Sequence, residues 1–182
     1  MQGTMSPMPY PSNMNKKISV KRITLNAVLT AIALIIFIVE LQIPEIVPIP
    51  GVKLGLANVI TLFAMFELGP VDALIILLLR IVMGSMFSGR IMAMLYSLAG
   101  GLLCYLVTLI LKRFVSRSQI WVCGVIGAIS HNLGQILVAI LITSTPALIS
   151  YLPILMISAI LTGAFTGGIA TITCRRLRGM KG

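Results

Sequence analysis

Residues 120–143 read IWVCGVIGAISHNLGQILVAILIT, an uncharged run that is apolar except near its middle, where Ser130-His131-Asn132-Leu133-Gly134-Gln135 holds the only histidine of the chain. The run is long enough to cross a bilayer, which takes ~20 helical residues. At mid-depth each unsatisfied polar group costs several kcal/mol. The segment therefore reads as a membrane helix whose centre is the first place to look for a ligand.

The same pattern recurs along the chain. Of 182 residues, 58% are hydrophobic and 10% charged, against about 45–50% and about 25% in soluble domains. Further apolar blocks cover Ile23 to Val39, Leu54 to Phe66, Val71 to Phe87, Ile91 to Leu111 and Ala147 to Thr173. The expected fold is all-α and polytopic, with about six transmembrane helices. The second block is short enough to be re-entrant, and the sixth long enough to tilt or kink. Residues 16–176 form one transmembrane domain, between a disordered tail over 1–15 and a basic tail over 177–182. No cleavage site follows the first span, so it reads as a retained helix.

Charge gives the orientation. Lys16, Lys17, Lys21 and Arg22 precede the first span, Lys112, Arg113 and Arg117 follow the fourth, and Arg175, Arg176, Arg178 and Lys181 follow the sixth. Six crossings bring all of these to one side, which the positive-inside rule makes cytoplasmic, with both termini. The other side holds Lys53 and Arg90. The net charge of +10 sits at helix ends without interleaved aromatics, so no nucleic-acid partner is expected. A multi-pass protein of the cell (plasma) membrane is.

Several chemistries lack their residues. No G-x-x-x-x-G-K-[ST] loop is present, so ATP hydrolysis would belong to a partner. The four carboxylates, Glu40, Glu45, Glu67 and Asp72, are scattered, whereas a magnesium-dependent diphosphate enzyme clusters them. Cys104, Cys123 and Cys174 form no CxxC pair, and neither a zinc site nor any other cofactor is expected.

The polar residues inside the spans form the candidate substrate site: Lys53, Asn58, Arg80, His131, Asn132 and Gln135. His131 and Gln135 share a helix face, with Asn132 about 100° round from it. The competing use for these amides is interhelical packing. Arg80 lies about 13 Å along its helix, and a guanidinium at that depth marks a functional site unless Glu40, Glu67 or Asp72 pairs with it. The stiff, proline-rich segment Pro44 to Gly51 reads as an outer lid ending at Lys53, with Asn58 five residues on. Ala27-x-x-x-Ala31, Gly124-x-x-x-Ala128 and Ala159-x-x-x-Gly163-x-x-x-Gly167 are small-residue faces for close helix approach.

Three strings, Pro50-Gly51-Val52-Lys53-Leu54-Gly55-Leu56-Ala57-Asn58, Ser97-Leu98-Ala99-Gly100-Gly101 and His131-Asn132-Leu133-Gly134-Gln135, resemble the Gx transporter family of bacterial membrane proteins. That family often carries the label heptaprenyl diphosphate synthase component I, and is similar to substrate-binding S components of energy-coupling factor (ECF) transporters. The resemblance covers about Lys16 to Arg176. It implies a six-helix subunit that binds a small, partly hydrophobic and anionic solute. It also implies that Ala27 and Ala31 dock onto a transmembrane coupling subunit that works with ATPases. The alternative it implies is a membrane component of prenyl diphosphate synthesis, although the aspartate-rich motifs of such a prenyltransferase are missing. A non-enzymatic binding role is the expected one.

Overall fold

The computed structural model describes residues 20–42, 55–89 and 91–179. Their regular structure is helical: α1 (Val20–Glu40), α2 (Asn58–Glu67), α3 (Pro70–Ser88), α4 (Ile91–Leu111), α5 (Ile120–Thr143) and α6 (Leu152–Gly179), with 3-10 turns at Arg117–Gln119 and Pro146–Tyr151. The lid segment, Lys53 and Arg90 lie outside the described residues.

Five of the six helices are long and apolar enough to span a membrane. The exception is α2. Its ten residues extend about 15 Å, half the hydrocarbon thickness, so the six expected helices are present as five full-length spans and one half-length helix at the block read as short enough to be re-entrant. Backbone geometry sets the limits. Gly55 stands at φ +78° and Gly69 at φ +121°, conformations in which a side chain is strained. Helix thus begins only after Gly55 and stops before Gly69, and Pro70 opens α3 at a position that suits proline.

Short as it is, α2 still returns the chain to the side on which α1 begins. Arg22, in the first turn of α1, pairs with Asp72 at the start of α3 and donates to the Leu68 carbonyl at the end of α2 (3.2 Å). Lys112, just past α4, donates to the Met65 carbonyl, a cation at the negative end of a helix dipole. These ends share one face with the basic residues Lys21, Arg22, Lys112 and Arg113. The positive-inside rule places that face in the cytoplasm.

α2 packs against all five other helices and buries Val59, Thr61, Leu62, Ala64, Met65 and Phe66. Burial all round is what an apolar helix without a polar stripe requires. The outward faces are the opposite: Ile23, Val28 and Ile35 of α1 and Ile157, Leu161 and Phe165 of α6 are exposed, apolar surface of a kind a soluble monomer does not display. The chain is a multi-pass, all-helical membrane protein.

Glycines set the tightest contacts. A Cβ on Gly124 would lie 2.5 Å from the Gly163 carbonyl oxygen and 2.6 Å from the Gly167 Cα. The small-residue faces of α5 and α6 thus meet each other, with backbones in direct contact. One on Gly134 would lie 2.9 Å from the Ala99 oxygen and the Gly100 Cα, so α4 and α5 approach as closely. In hydrocarbon, where apolar side chains gain nothing by leaving lipid, such contact is what holds helices together.

Candidate functional site

The first turn of α2 is the structural centre of the polar residues. Glu40, the last residue of α1, accepts hydrogen bonds from the backbone N–H groups of Gly55 and Leu56. Three residues on, Asn58 reaches two helices at once. Its Oδ1 accepts from Arg80 Nη2 of α3 at 3.0 Å, and its Nδ2 lies 3.1 Å from His131 Nδ1 of α5. Helix α4 contributes Gly100, where a Cβ would meet the His131 carbonyl at 2.7 Å and the imidazole Nδ1 at 2.9 Å. Four helices thus converge on one turn.

Chemistry fixes the roles within this network. A guanidinium only donates, so the Asn58 atom facing Arg80 is its oxygen, and the amide nitrogen faces the imidazole. His131 Nδ1 is then the acceptor, and the ring is the neutral tautomer with its proton on Nε2. Such a histidine orients a partner and carries no charge of its own.

The six sequence-derived residues divide. Asn58, Arg80 and His131 are joined directly. Gln135 is fully buried, with its Cγ 2.9 Å from the position a Gly100 Cβ would take, so it lines the same α4–α5 seam one turn above His131. Asn132 faces elsewhere: its Nδ2 donates to the Leu155 carbonyl of α6 at 2.9 Å, the interhelical use. Lys53 lies outside the described residues. Ala27 and Ala31 are exposed on the outer face of α1, away from this network.

Arg80 and Asn132 keep unmet capacity. Arg80 is 4% exposed, and its Nε has no hydrogen-bond partner. Asn132 Oδ1 is in the same condition. Buried donors and acceptors without partners are rare, and a guanidinium short of one acceptor at mid-depth is an attractive point for an anionic or carbonyl oxygen.

Beside the network, a cavity of about 20 Å³ lies between α2, α4, α5 and α6, with Gly55 and Asn58 at one end and Met65, Tyr105 and Cys123 at the other. That is room for about one water. The hydroxyl of Thr61, another cavity residue, is buried and lacks a partner. A solute of ordinary size needs hundreds of Å³, far more than the space between the helices as they stand.

Sequence reading did not place Glu40 and Gly100 in this cluster. Glu40 appeared only as a possible counter-ion. A carboxylate at the end of an apolar helix, followed after a break by Gly and Asn, is the signal that points to it. Gly100 carries no chemical signal of its own and is detected only through its neighbours in space. Among the described residues, no three His, Cys, Asp or Glu side chains gather as metal ligands do.

The three strings that carry the sequence resemblance meet here, Gly55 and Asn58 from the first, Gly100 from the second and His131 from the third. Residues 29–173 match the family described as heptaprenyl diphosphate synthase component I. The chain belongs to that family. The matched region includes Ala31, Asn58, Arg80, His131 and Gln135 and begins two residues after Ala27. No curated protein matches the chain closely enough to serve as a relative.

Proposed function

We propose that this chain is the solute-binding subunit of an uptake transporter in the plasma membrane, and that its ligand is a small, partly hydrophobic solute with an anionic group. The observation that carries this reading is the Arg80–Asn58–His131 chain at the start of a half-length helix. It supplies a desolvated cation, an amide and a neutral imidazole within an apolar surround, a combination that binds and orients a ligand rather than transforming it. Arg80 neutralises the anion, and His131 and Gln135 provide hydrogen bonds, with Lys53, which lies outside the described residues, proposed as a further cation. Ala27 and Ala31 form the flat face for a transmembrane coupling subunit, with ATPases supplying the energy. The resemblance to S components supports this part.

The test is retention. Protein purified in mild detergent is expected to carry a solute detectable by native mass spectrometry, and Arg80→Ala and His131→Ala are each expected to lose it while remaining helical. Retention unchanged in both variants overturns the site.

A second reading has the family description behind it: a membrane component of heptaprenyl diphosphate synthase, acting with a partner subunit. Carboxylates to hold the metal of such a reaction would have to come from the partner. Glu40 is engaged by Gly55 and Leu56, and Asp72 by Arg22 and Asn26. Prenyl chain elongation by this chain together with a soluble partner, and by neither alone, would establish that reading instead.

A further inference from the structure

The turn that leads into α2 combines two features that attract anions: the backbone N–H groups of Gly55 and Leu56, which point away from the chain's own carbonyls near the positive end of a helix dipole, and a guanidinium bound to the first residue of the helix. One anion already sits there. Glu40 is 4% exposed, and its carboxylate accepts from both Gly55 N and Leu56 N. The same turn is gripped from the other side by Arg80 through Asn58, and Glu40 and Arg80 lie within electrostatic reach of one another. Arg80 Nε, buried and without a partner, marks the direction in which an acceptor is still wanted.

We infer that Glu40 is a built-in competitor for the ligand's anionic group: a monoanion takes the place of the Glu40 carboxylate on the Gly55–Leu56 turn that leads into α2, gains Arg80 Nε, and frees the end of α1. The inference rests on the solute-binding reading above and adds to it a named competitor and a consequence for α1. An anion entering with Glu40 still in place would put two negative charges against one guanidinium in a low-dielectric surround, which is costly. An exchange keeps the charge of the site unchanged. Because α1 also carries the exposed Ala27 and Ala31, the exchange links occupancy of the site to the helix that faces outward.

Octanoate and 1-octanol serve as matched probes, alike in chain and different in charge, and binding to the full-length protein in detergent micelles is read by calorimetry. Glu40→Gln keeps an oxygen acceptor for Gly55 and Leu56 but removes the charge. It is expected to tighten octanoate binding roughly ten- to hundredfold, the fold-change matching a charged hydrogen-bond competitor, and to leave octanol unchanged. Octanoate affinity in Glu40→Gln equal to or weaker than wild type overturns the inference, and an equal gain for octanol does so as well, since it would report mere loosening. Arg80→Ala separates the two levels. Octanoate binding that survives Arg80→Ala overturns the underlying site, whereas loss in Arg80→Ala with no gain in Glu40→Gln overturns only the role of Glu40. Thermal unfolding of each variant confirms that a folded protein is being titrated.

Discussion

Asn58 and His131 meet amide to imidazole, Nδ2 to Nδ1 at 3.1 Å, across 73 residues of chain. The same amide holds Arg80 through its oxygen. Asn58→Ala therefore removes a partner from two buried groups at once, at a cost of about 1–3 kcal/mol for each group left unsatisfied. A lowered unfolding temperature in detergent, with a larger drop than for His131→Ala, is the expected result.

Gly55→Ala tests the turn itself. The residue stands at φ +78°, and a Cβ there would lie 2.9 Å from both Asn58 Nδ2 and His131 Cδ2. Backbone strain of about 1–2 kcal/mol adds to displacement of the Asn58–His131 contact. We expect reduced stability and loss of the co-purified solute together. A variant as stable as wild type would show that the turn adapts.

Gly100→Ala addresses the opposite wall, where a methyl would meet backbone, the His131 carbonyl at 2.7 Å. Backbone cannot swing aside as a side-chain tip does, so α4 and α5 must separate, with an overpacking cost of about 1–3 kcal/mol. Gly168→Ala is the control, since nothing lies within 4 Å of a Cβ at that position. Its unfolding temperature is expected to stay near or slightly above wild type.

Asp72→Ala breaks the cytoplasmic end. Asp72 accepts from Asn26 Nδ2 at 2.8 Å and pairs with Arg22. Arg22 is half exposed, so most of the loss comes from the buried Asn26, about 1–3 kcal/mol. Stability is expected to fall while solute retention persists, because no residue of the α2 first turn is touched. Loss of retention at unchanged stability would contradict this separation.

Ala27→Phe and Ala31→Phe change an exposed face of α1. Unfolding temperature and solute retention are expected to match wild type, and co-purification of a coupling subunit on co-expression to fail. Persistent assembly in both variants would move the docking face elsewhere.

Much of the fold was legible because membrane burial writes itself in composition. Uncharged runs such as Ile120 to Thr143 leave few alternatives to a spanning helix. The half-length α2 was legible only as a short block, since the backbone turn at Gly55 and its contacts with five helices are properties of three-dimensional packing. Arg80 and His131 were visible for the same reason as the spans: polar groups at that depth stand out. Asn132 lies beside His131 in sequence but one helical step round, and that step turned it toward Leu155. Glu40 was hidden because a carboxylate at a span end has a ready surface explanation. Only its contact with Gly55 and Leu56 shows it buried.

The 73 residues between Asn58 and His131 also have a meaning in time. At a synthesis rate of about 5–20 residues per second, roughly 4–15 s pass after Asn58 leaves the ribosome before His131 does. Arg80 follows Asn58 early in that interval, while the imidazole that completes the trio does not yet exist. A ten-residue helix is too short to hold itself across the bilayer, so α2 must wait, sheltered by α1 and α3, until α5 arrives. The Asn58–Arg80–His131 trio is completed only once α5 has been made, with α6 still to follow.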